Sequence, residues 1–344
     1  MTNKTPFDIG FRMPAEWERH EATWLSWPKD PLTFPPHIIE RVQKIYIEMI
    51  EALQKGERVD LLVDDQKTED QVTSLISSTK NIRFHKIKSA DVWMRDYGPI
   101  FVKNLGEVAA TKWNFNAWGK KYDELLKDNQ SGMEVCKKTG FKIFEPSVVL
   151  EGGSIDVNGN GLCLTTKQCL LNRNRNPKLT AGQIENYFHD YLGVTEVIWL
   201  SEGISGDDTD GHVDDIARFV SPTAAVCMVE EDKTDDNYAA LERNYQFLRK
   251  FVDKNGRKLD VLPIAMPDKL ETEEGRLPAS YANFYIGNTV VLVPIFGNSK
   301  KDEKALIELG NFFTNREIIG IYCKELVYGF GGIHCVTQQQ PAGK

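Results

Sequence analysis

GGSIDVNGNGLCLTTKQ, residues 152–168, reads as a strand, a turn and a second strand. The Asn-Gly-Asn-Gly centre is a hairpin signal set between two apolar runs. Comparable passages recur along the 344-residue chain. RDYGPIFVKN with LGEVAATKW starts near Asp96, DDIARFVSPTAAVCMV near Asp214, NFYIGNTVVLVPIF near Asn283, and IHCVTQQ near Ile333. Their spacing of roughly 50 to 70 residues is that of a diverged repeat architecture. The fifth passage lacks its second strand, and Ala22–Trp27 (ATWLSW) is the candidate to supply it. That pairing would close a ring through the N-terminus, as propellers do.

Helices separate the hairpins. Ile38, Val42, Ile45, Tyr46, Met49 and Leu53 recur at helical spacing and predict a helix over 37–54. Further helices are expected over 66–78, 121–139, 181–192, 235–254 and 301–313. Strands are expected over 59–63, 148–157, 161–171, 196–200, 214–220, 224–229, 282–286, 289–295 and 317–322. Hairpins alternating with helices mark an α/β protein. No Gly/Ser- or Pro-rich linker divides the chain, so one catalytic domain over residues 1–344 is expected.

Composition narrows the function. Apolar residues make up 41% and charged residues 27%, an ordinary globular balance. The net charge of -8 argues against nucleic acid, which calls for basic patches. It is compatible with a small cationic substrate, although net charge chiefly serves solubility. No apolar run approaches the ~20 residues that span a bilayer, and Met1–Gly10 carries no basic-then-apolar signal pattern. A cytoplasmic protein with reduced thiols is expected. The six cysteines, at 136, 163, 169, 227, 323 and 335, form no CxxC pair, which disfavours a zinc ribbon.

Polar residues that look misplaced gather where the hairpin passages begin: Trp93, Arg95 and Asp96; Glu151; Asp208, Asp210, His212 and Asp214; His334 and Cys335. If five units surround a centre, equivalent strand starts converge there. Cys335 follows three glycines within GFGGIHC, and glycines let a backbone approach a ligand closely. A buried inert cysteine after a tight turn is the competing reading. A nucleophilic cysteine needs a base. On an extended strand His334 would point away from its neighbour, so the base is sought elsewhere. His212 sits among five aspartates between Gly206 and Asp215, and two-residue spacing would put His212 and Asp214 on one strand face. Calcium is the alternative for so oxygen-rich a loop, but the EF-hand ligand spacing and its terminal Glu are missing. Asp96, Glu151 and Asp214 together suit a guanidinium, a planar cation with five donors. Trp93 is either a cation–π wall for substrate or a core tryptophan. Arg95 is expected to brace the loop by an ion pair.

Taken together, these segments resemble the agmatine deiminase family of the guanidino-group-modifying superfamily, which is related to bacterial peptidyl-arginine deiminases. The resemblance is carried by Trp93-Met-Arg-Asp-Tyr-Gly-Pro99, Leu150-Glu-Gly-Gly-Ser154 and Leu171-Asn-Arg-Asn-Arg-Asn-Pro177. It continues with Thr209-Asp-Gly-His-Val-Asp214, Asn283-Phe-Tyr-Ile286 and Gly331-Gly-Ile-His-Cys-Val-Thr-Gln-Gln339. Met13-Pro-Ala-Glu-Trp17 and Trp24-Leu-Ser-Trp-Pro28 also match, so the likeness runs from about residue 11 to 341. It implies a five-bladed α/β propeller with pseudo-fivefold symmetry. It implies Cys335 as nucleophile, His212 as acid/base, Asp96 and Asp214 as guanidinium ligands and Glu151 as a further acid. No metal and no organic cofactor are implied. The implied reaction turns agmatine into N-carbamoylputrescine and ammonia through a covalent thiouronium, a step of arginine-derived polyamine metabolism leading to putrescine.

Rivals differ at the far end of the substrate. Agmatine carries an amine there and calls for an acidic partner, for which Asp208 is the candidate. A peptidyl-arginine deiminase, or a deiminase of another guanidino compound, is the nearest alternative, and an amidinotransferase shares the superfamily motifs. A catalytically inactive polyamine-binding propeller is the alternative of another class. A homodimer is expected only on base rates.

Overall fold

A computed structural model describes residues 4–273 and 275–343; the outermost ends of the expected domain, 1–3 and 344, lie outside the described residues. The fold is α/β. One strand–helix–strand unit recurs in it. Strands β1 (His20–Ser26) and β2 (Arg58–Val63) are parallel neighbours joined by the helix Ile39–Leu53. That helix buries Val42, Ile45, Tyr46, Met49, Ile50 and Leu53, one stripe of an amphipathic cylinder. A further parallel strand, β3 (Ile82–Lys86), follows the helix Gln66–Leu75 and extends this sheet to four strands.

The next sheet holds β4 (Ile100–Asn104), β5 (Glu107–Thr111) and β6 (Lys142–Phe144). β4 and β5 form an antiparallel hairpin, and the helix Asp128–Thr139 carries the chain to β6, parallel to β5. The pattern repeats in β7 (Ile155–Val157), β8 (Leu162–Thr166) and β9 (Glu196–Leu200), joined by the helix Ala181–Leu192. It repeats again in β10 (Ala217–Ser221), β11 (Ala224–Val229) and β12 (Asp260–Ala265), joined by Tyr238–Leu248. After a small hairpin, β13 (Glu271–Thr272) with β14 (Gly275–Arg276), come β15 (Tyr285–Ile286), β16 (Val290–Ile295) and β17 (Glu317–Tyr322) with the helix Ser299–Gly310. Finally β18 (Gln338–Pro341) pairs antiparallel with β1, Thr23 facing Gln339 and Trp24 facing Gln338. The N-terminal segment Ala22–Trp27 therefore completes the fifth hairpin as expected.

The middle strands β8, β11 and β16 are buried on both faces along nearly their whole length, which is why they are rich in apolar residues without alternation. Three sequence expectations are corrected. The strands expected over 148–157 and 214–220 begin with 3-10 turns, Gly152–Ser154 and Val213–Asp215, and extend only from Ile155 and Ala217. The strand expected over 161–171 ends at Thr166, whose hydroxyl caps the short helix Lys167–Leu170. The helix expected over 121–139 is split into Asp123–Leu125 and Asp128–Thr139. Among the described residues no helix is long and apolar enough to cross a membrane.

Candidate active site

The turns that lead into β4, β7, β10, β15 and β18 carry Asp96, Glu151, Asp214, Asn283 and Cys335. Three of these turns, those of Asp96, Glu151 and Asp214, meet at Gly153. A Cβ at Gly153 would lie 2.6 Å from His212 Nδ1 and 3.0 Å from both Asp214 Oδ2 and Asp96 Oδ1. Glycine is therefore required there, and Gly153→Ala is expected to destabilise the protein by about 1–3 kcal/mol through overpacking. A urea midpoint unchanged by that substitution would contradict this crowding.

Cys335 is buried in the turn Ile333–Val336, which is not an extended strand. The expectation that strand alternation separates His334 from Cys335 is corrected accordingly: both side chains reach Asp214 Oδ2, His334 Nδ1 at 2.7 Å and Cys335 Sγ at 3.9 Å. Asn283 Nδ2 donates to Cys335 Sγ at 3.1 Å and to Asp215 Oδ1 at 2.9 Å, while Asn283 Oδ1 accepts from His334 N at 2.8 Å. The glycines before Cys335 let side chains of the protein approach. A Cβ at Gly331 would stand 2.3 Å from the Trp93 ring and one at Gly332 2.5 Å from Asn283 Oδ1.

Asp96 lies on the short helix Met94–Tyr97. Its Oδ1 accepts from Gly153 N at 3.0 Å and its Oδ2 from Trp118 Nε1 at 2.9 Å. Ala117 and Trp118 hold φ of 53° and 51°, a left-handed conformation costly for non-glycine residues; it aims the indole N–H at Asp96. Burial, reinforced by the charges of Asp214 and Glu151, pushes the Asp96 carboxyl up to about 6 against the opposing pull of His212.

His212 is the residue before the 3-10 turn Val213–Asp215. It and Asp214 therefore do not share a strand face, yet both reach the same centre. Nδ1 is 3.8 Å from Asp96 Oδ1 and Nε2 is 4.0 Å from Glu151 Oε2. Neither ring nitrogen has a hydrogen-bond partner. Burial alone would lower its pKa, but Asp96, the Cys169 thiol and Asp214 outweigh burial and hold it well above the ordinary value. Asp214 is wholly buried, with Oδ2 3.9 Å from Cys335 Sγ. Burial, followed by the charges of Asp214, Asp215 and Asp96, drives the Cys335 thiol well above its usual range.

A cavity of about 430 Å³ opens onto this centre. Trp93, Asp96, Asp208 and Cys335 line it; His212, Asp214 and Glu151 stand behind its wall. Asp30, Asp91, Asp96, Glu124 and Asp208 contribute carboxylates, and no lysine or arginine is among the described lining residues. Trp93 is both wall and core: it is 5% exposed, and its indole donates to Asp91 Oδ2 at 2.8 Å. Asp208 Oδ2 accepts from Tyr122 Oη at 2.6 Å. Burial raises Asp208 to about 6.

Glu151 is committed at one oxygen and open at the other, Oε2 being buried without a hydrogen-bond partner 4.0 Å from His212 Nε2. Arg175 Nε donates to its Oε1 at 2.6 Å, and both groups are buried. Arg175 also donates to Asp210 Oδ2 at 2.6 Å and to Thr209 O at 2.7 Å. The aspartate-rich loop is tied up by the protein in the same way. Asp207 accepts the N–H groups of Thr209, Gly211 and His212, and Asp210 pairs with Lys121 at 2.7 Å. Glu151, Cys169 and His212 place one oxygen, sulfur and nitrogen within 4.8 Å of one another, a grouping able to ligate a metal. The Arg175 guanidinium against Glu151 disfavours a second cation there. Asn283, Trp118, Arg175 and Cys169 were not singled out as site residues from sequence; the motifs containing Asn283 and Arg175 were the available signal. Arg95 is a brace as expected, but its ion-pair partner is Glu16, at 3.4 Å, and it also donates to Gln339 Oε1 at 2.6 Å.

The family model of the Porphyromonas-type peptidyl-arginine deiminases matches residues 12–341. The chain belongs to this family. The agmatine deiminase of Medicago truncatula is 38% identical over 98% of both chains. The agmatine deiminase of Enterococcus faecalis superposes with a TM-score of 0.91, at 34% identity and 99% of both chains. A substrate-bound agmatine deiminase of C. jejuni superposes with a TM-score of 0.88, at 32% identity and 97% of both chains.

Proposed function

We propose that the protein is a hydrolase of linear amidines that converts agmatine and water to N-carbamoylputrescine and ammonia. The observation that carries this reading is Cys335 beside Asp96, Asp208 and Trp93 on one cavity without lysine or arginine. Full-length relatives that are agmatine deiminases support the substrate. Cys335 Sγ attacks the guanidinium carbon while Asp96 and Asp214 hold the guanidinium nitrogens, so orientation replaces a bimolecular encounter. The His212 proton goes to the departing ammonia, leaving an S-alkylthiouronium. His212 then takes a proton from water, which adds to that carbon and expels the Cys335 thiolate. Glu151, held by Arg175, keeps the far side of His212 anionic. Asp208, oriented by Tyr122, receives the distal amine.

The shared order of the five units, with three leading turns meeting at Gly153 and those of Asn283 and Cys335 joined to them through Asp215 and Asp214, supports a five-bladed α/β propeller of pseudo-fivefold symmetry in a single domain across 1–344. The six free cysteines suit the reducing cytoplasm, and a homodimer is retained on base rates. Peptidyl substrates suit this site less, because a chain-bound arginine offers neutral amides rather than a second cation to the carboxylates of Asp30, Glu124 and Asp208. Ammonia released from agmatine without an added amine acceptor separates hydrolysis from amidino transfer; dependence on such an acceptor would overturn the hydrolase reading.

The raised Cys335 thiol has a consequence. Free enzyme holds it as thiol at neutral pH, and an arriving guanidinium cation stabilises the thiolate. Thiolate absorbance, titrated with and without a cationic amidine, should rise at lower pH when the cation is present. Superimposable titrations would rule out substrate-assisted ionisation.

A further inference from the structure

His334 adjoins the nucleophile in sequence, yet it does not line the cavity. It is 2% exposed and bridges two carboxylates, with Nδ1 2.7 Å from Asp214 Oδ2 and Nε2 2.8 Å from Glu16 Oε2. A neutral imidazole has one N–H and satisfies one such oxygen; the ring donates to both only as an imidazolium. Glu16 comes from the N-terminal MPAEW segment, which no catalytic role has absorbed. It is fixed from every side. Its Oε1 accepts from Ile286 N at 2.8 Å, and its Oε2 lies 3.0 Å from Arg218 Nη2 and 3.4 Å from Arg95 Nη2. Arg218 is in turn hydrogen-bonded to Asp156.

The other end of the chain of contacts is open. Asp214 Oδ1 is buried without a hydrogen-bond partner. A buried carboxylate oxygen left unpaired is costly, and the cost is explained if a ligand N–H occupies that oxygen. The one further side-chain donor to Asp214 among the described residues is the Cys335 thiol, at 3.9 Å on the same Oδ2, so its rotation about χ2 is set chiefly by the 2.7 Å bond from His334.

We propose that Glu16 and His334 are positioning residues that hold Asp214 by Oδ2 and leave Oδ1 aimed at the substrate guanidinium; this rests on the deiminase reading above. Glu16 supplies the countercharge that keeps His334 donating from both nitrogens. Arg95 and Arg218 hold Glu16 in place. The N-terminal segment thereby sets the geometry of a site to which it contributes no lining side chain.

Two substitutions separate positioning from bracing. In His334→Asn the amide reaches about as far as Nδ1 and keeps the donor to Asp214. In His334→Gln it reaches about as far as Nε2 and keeps the donor to Glu16. With agmatine, kcat/KM should fall about 100-fold in His334→Gln and stay within about tenfold of the parent in His334→Asn, at matching thermal midpoints. His334→Gln equal to or better than His334→Asn, in an active parent background, overturns the proposal alone. Should either variant fail to fold, Glu16→Gln decides, since it keeps the side-chain size and an acceptor for Ile286 N–H. It should lower kcat/KM about tenfold without changing the alkylation rate of Cys335 by a neutral reagent; an unchanged kcat/KM overturns the proposal. A parent enzyme inert towards agmatine overturns the deiminase reading and this inference with it.

Discussion

Replacing Cys335 with alanine will lower kcat for agmatine by roughly 10⁴-fold or more, because removing a nucleophile removes the covalent route itself. The substitution is small and the site is already lined by Trp93 and Asn283, so the fold should survive. The thermal midpoint should move little, and a cationic ligand should still bind through Asp96. Ureido product formed at near-normal rate by Cys335→Ala would show that another group attacks. Cys169 is the nearest candidate on this side of the fold, but it is fully buried behind His212 and lines no described cavity.

Asp96→Asn should lower kcat/KM by about 10³-fold. Two losses combine: the charge that holds the guanidinium, and one of two hydrogen bonds, since an amide cannot accept from both Gly153 N and Trp118 Nε1. Charge-assisted bonds are worth about 1.5–3 kcal/mol each, which matches that factor when both effects act. The same carboxyl predicts an acid limb. Asp96 is raised to about 6, so it is an anion above that pH and takes up a proton below it. The logarithm of kcat/KM should therefore fall as pH drops through about 6, and that limb should be shallower in Asp96→Asn, where only Asp208, also raised to about 6, still takes up a proton there. A wild-type profile flat down to pH ~4.5 would mean that Asp96 does not titrate as an isolated buried acid.

Much of the architecture was legible because its signals are local. The Asn-Gly-Asn-Gly turn between β7 and β8, and the apolar spacing from Val42 to Leu53, need no tertiary context. The pairing of Ala22–Trp27 with β18 was legible only because one hairpin lacked a partner. What escaped was of two kinds. The outer strands β3, β6 and β12 are short or half-buried, and β12 contains Pro263, so neither alternation nor a continuous apolar run marks them. The turns ahead of β7 and β10 read as strand because Gly152–Ser154 and Val213–Asp215 adjoin apolar runs. A single helical turn has too few residues to show a period.

The site divides along the same line. Trp93, Asp96, Asp208 and Cys335 were named from sequence and line one cavity, with His212, Asp214 and Glu151 just behind. Glu151 was legible as an active-site acid, but the hold of Arg175 on one of its oxygens, with the other facing His212, was not. Nothing near Glu151 in the chain announces that pairing, because Arg175 comes from the loop after β8. Trp118 and Asn283 were missed as site residues for a similar reason. One depends on a left-handed backbone at Ala117 and Trp118, the other on a turn ahead of β15, and their contacts are made across units. A buried polar atom becomes visible as functional only when its partners are known.

The most direct measurement is the ureido product formed when the purified protein is incubated with agmatine and, separately, with arginine, using Cys335→Ala as control. The cavity carboxylates at Asp208, Glu124 and Asp30 predict product from agmatine, little from arginine with its terminal carboxylate, and none from the variant. Product from neither compound, or product from arginine alone, would contradict a cysteine hydrolase built for a doubly cationic substrate.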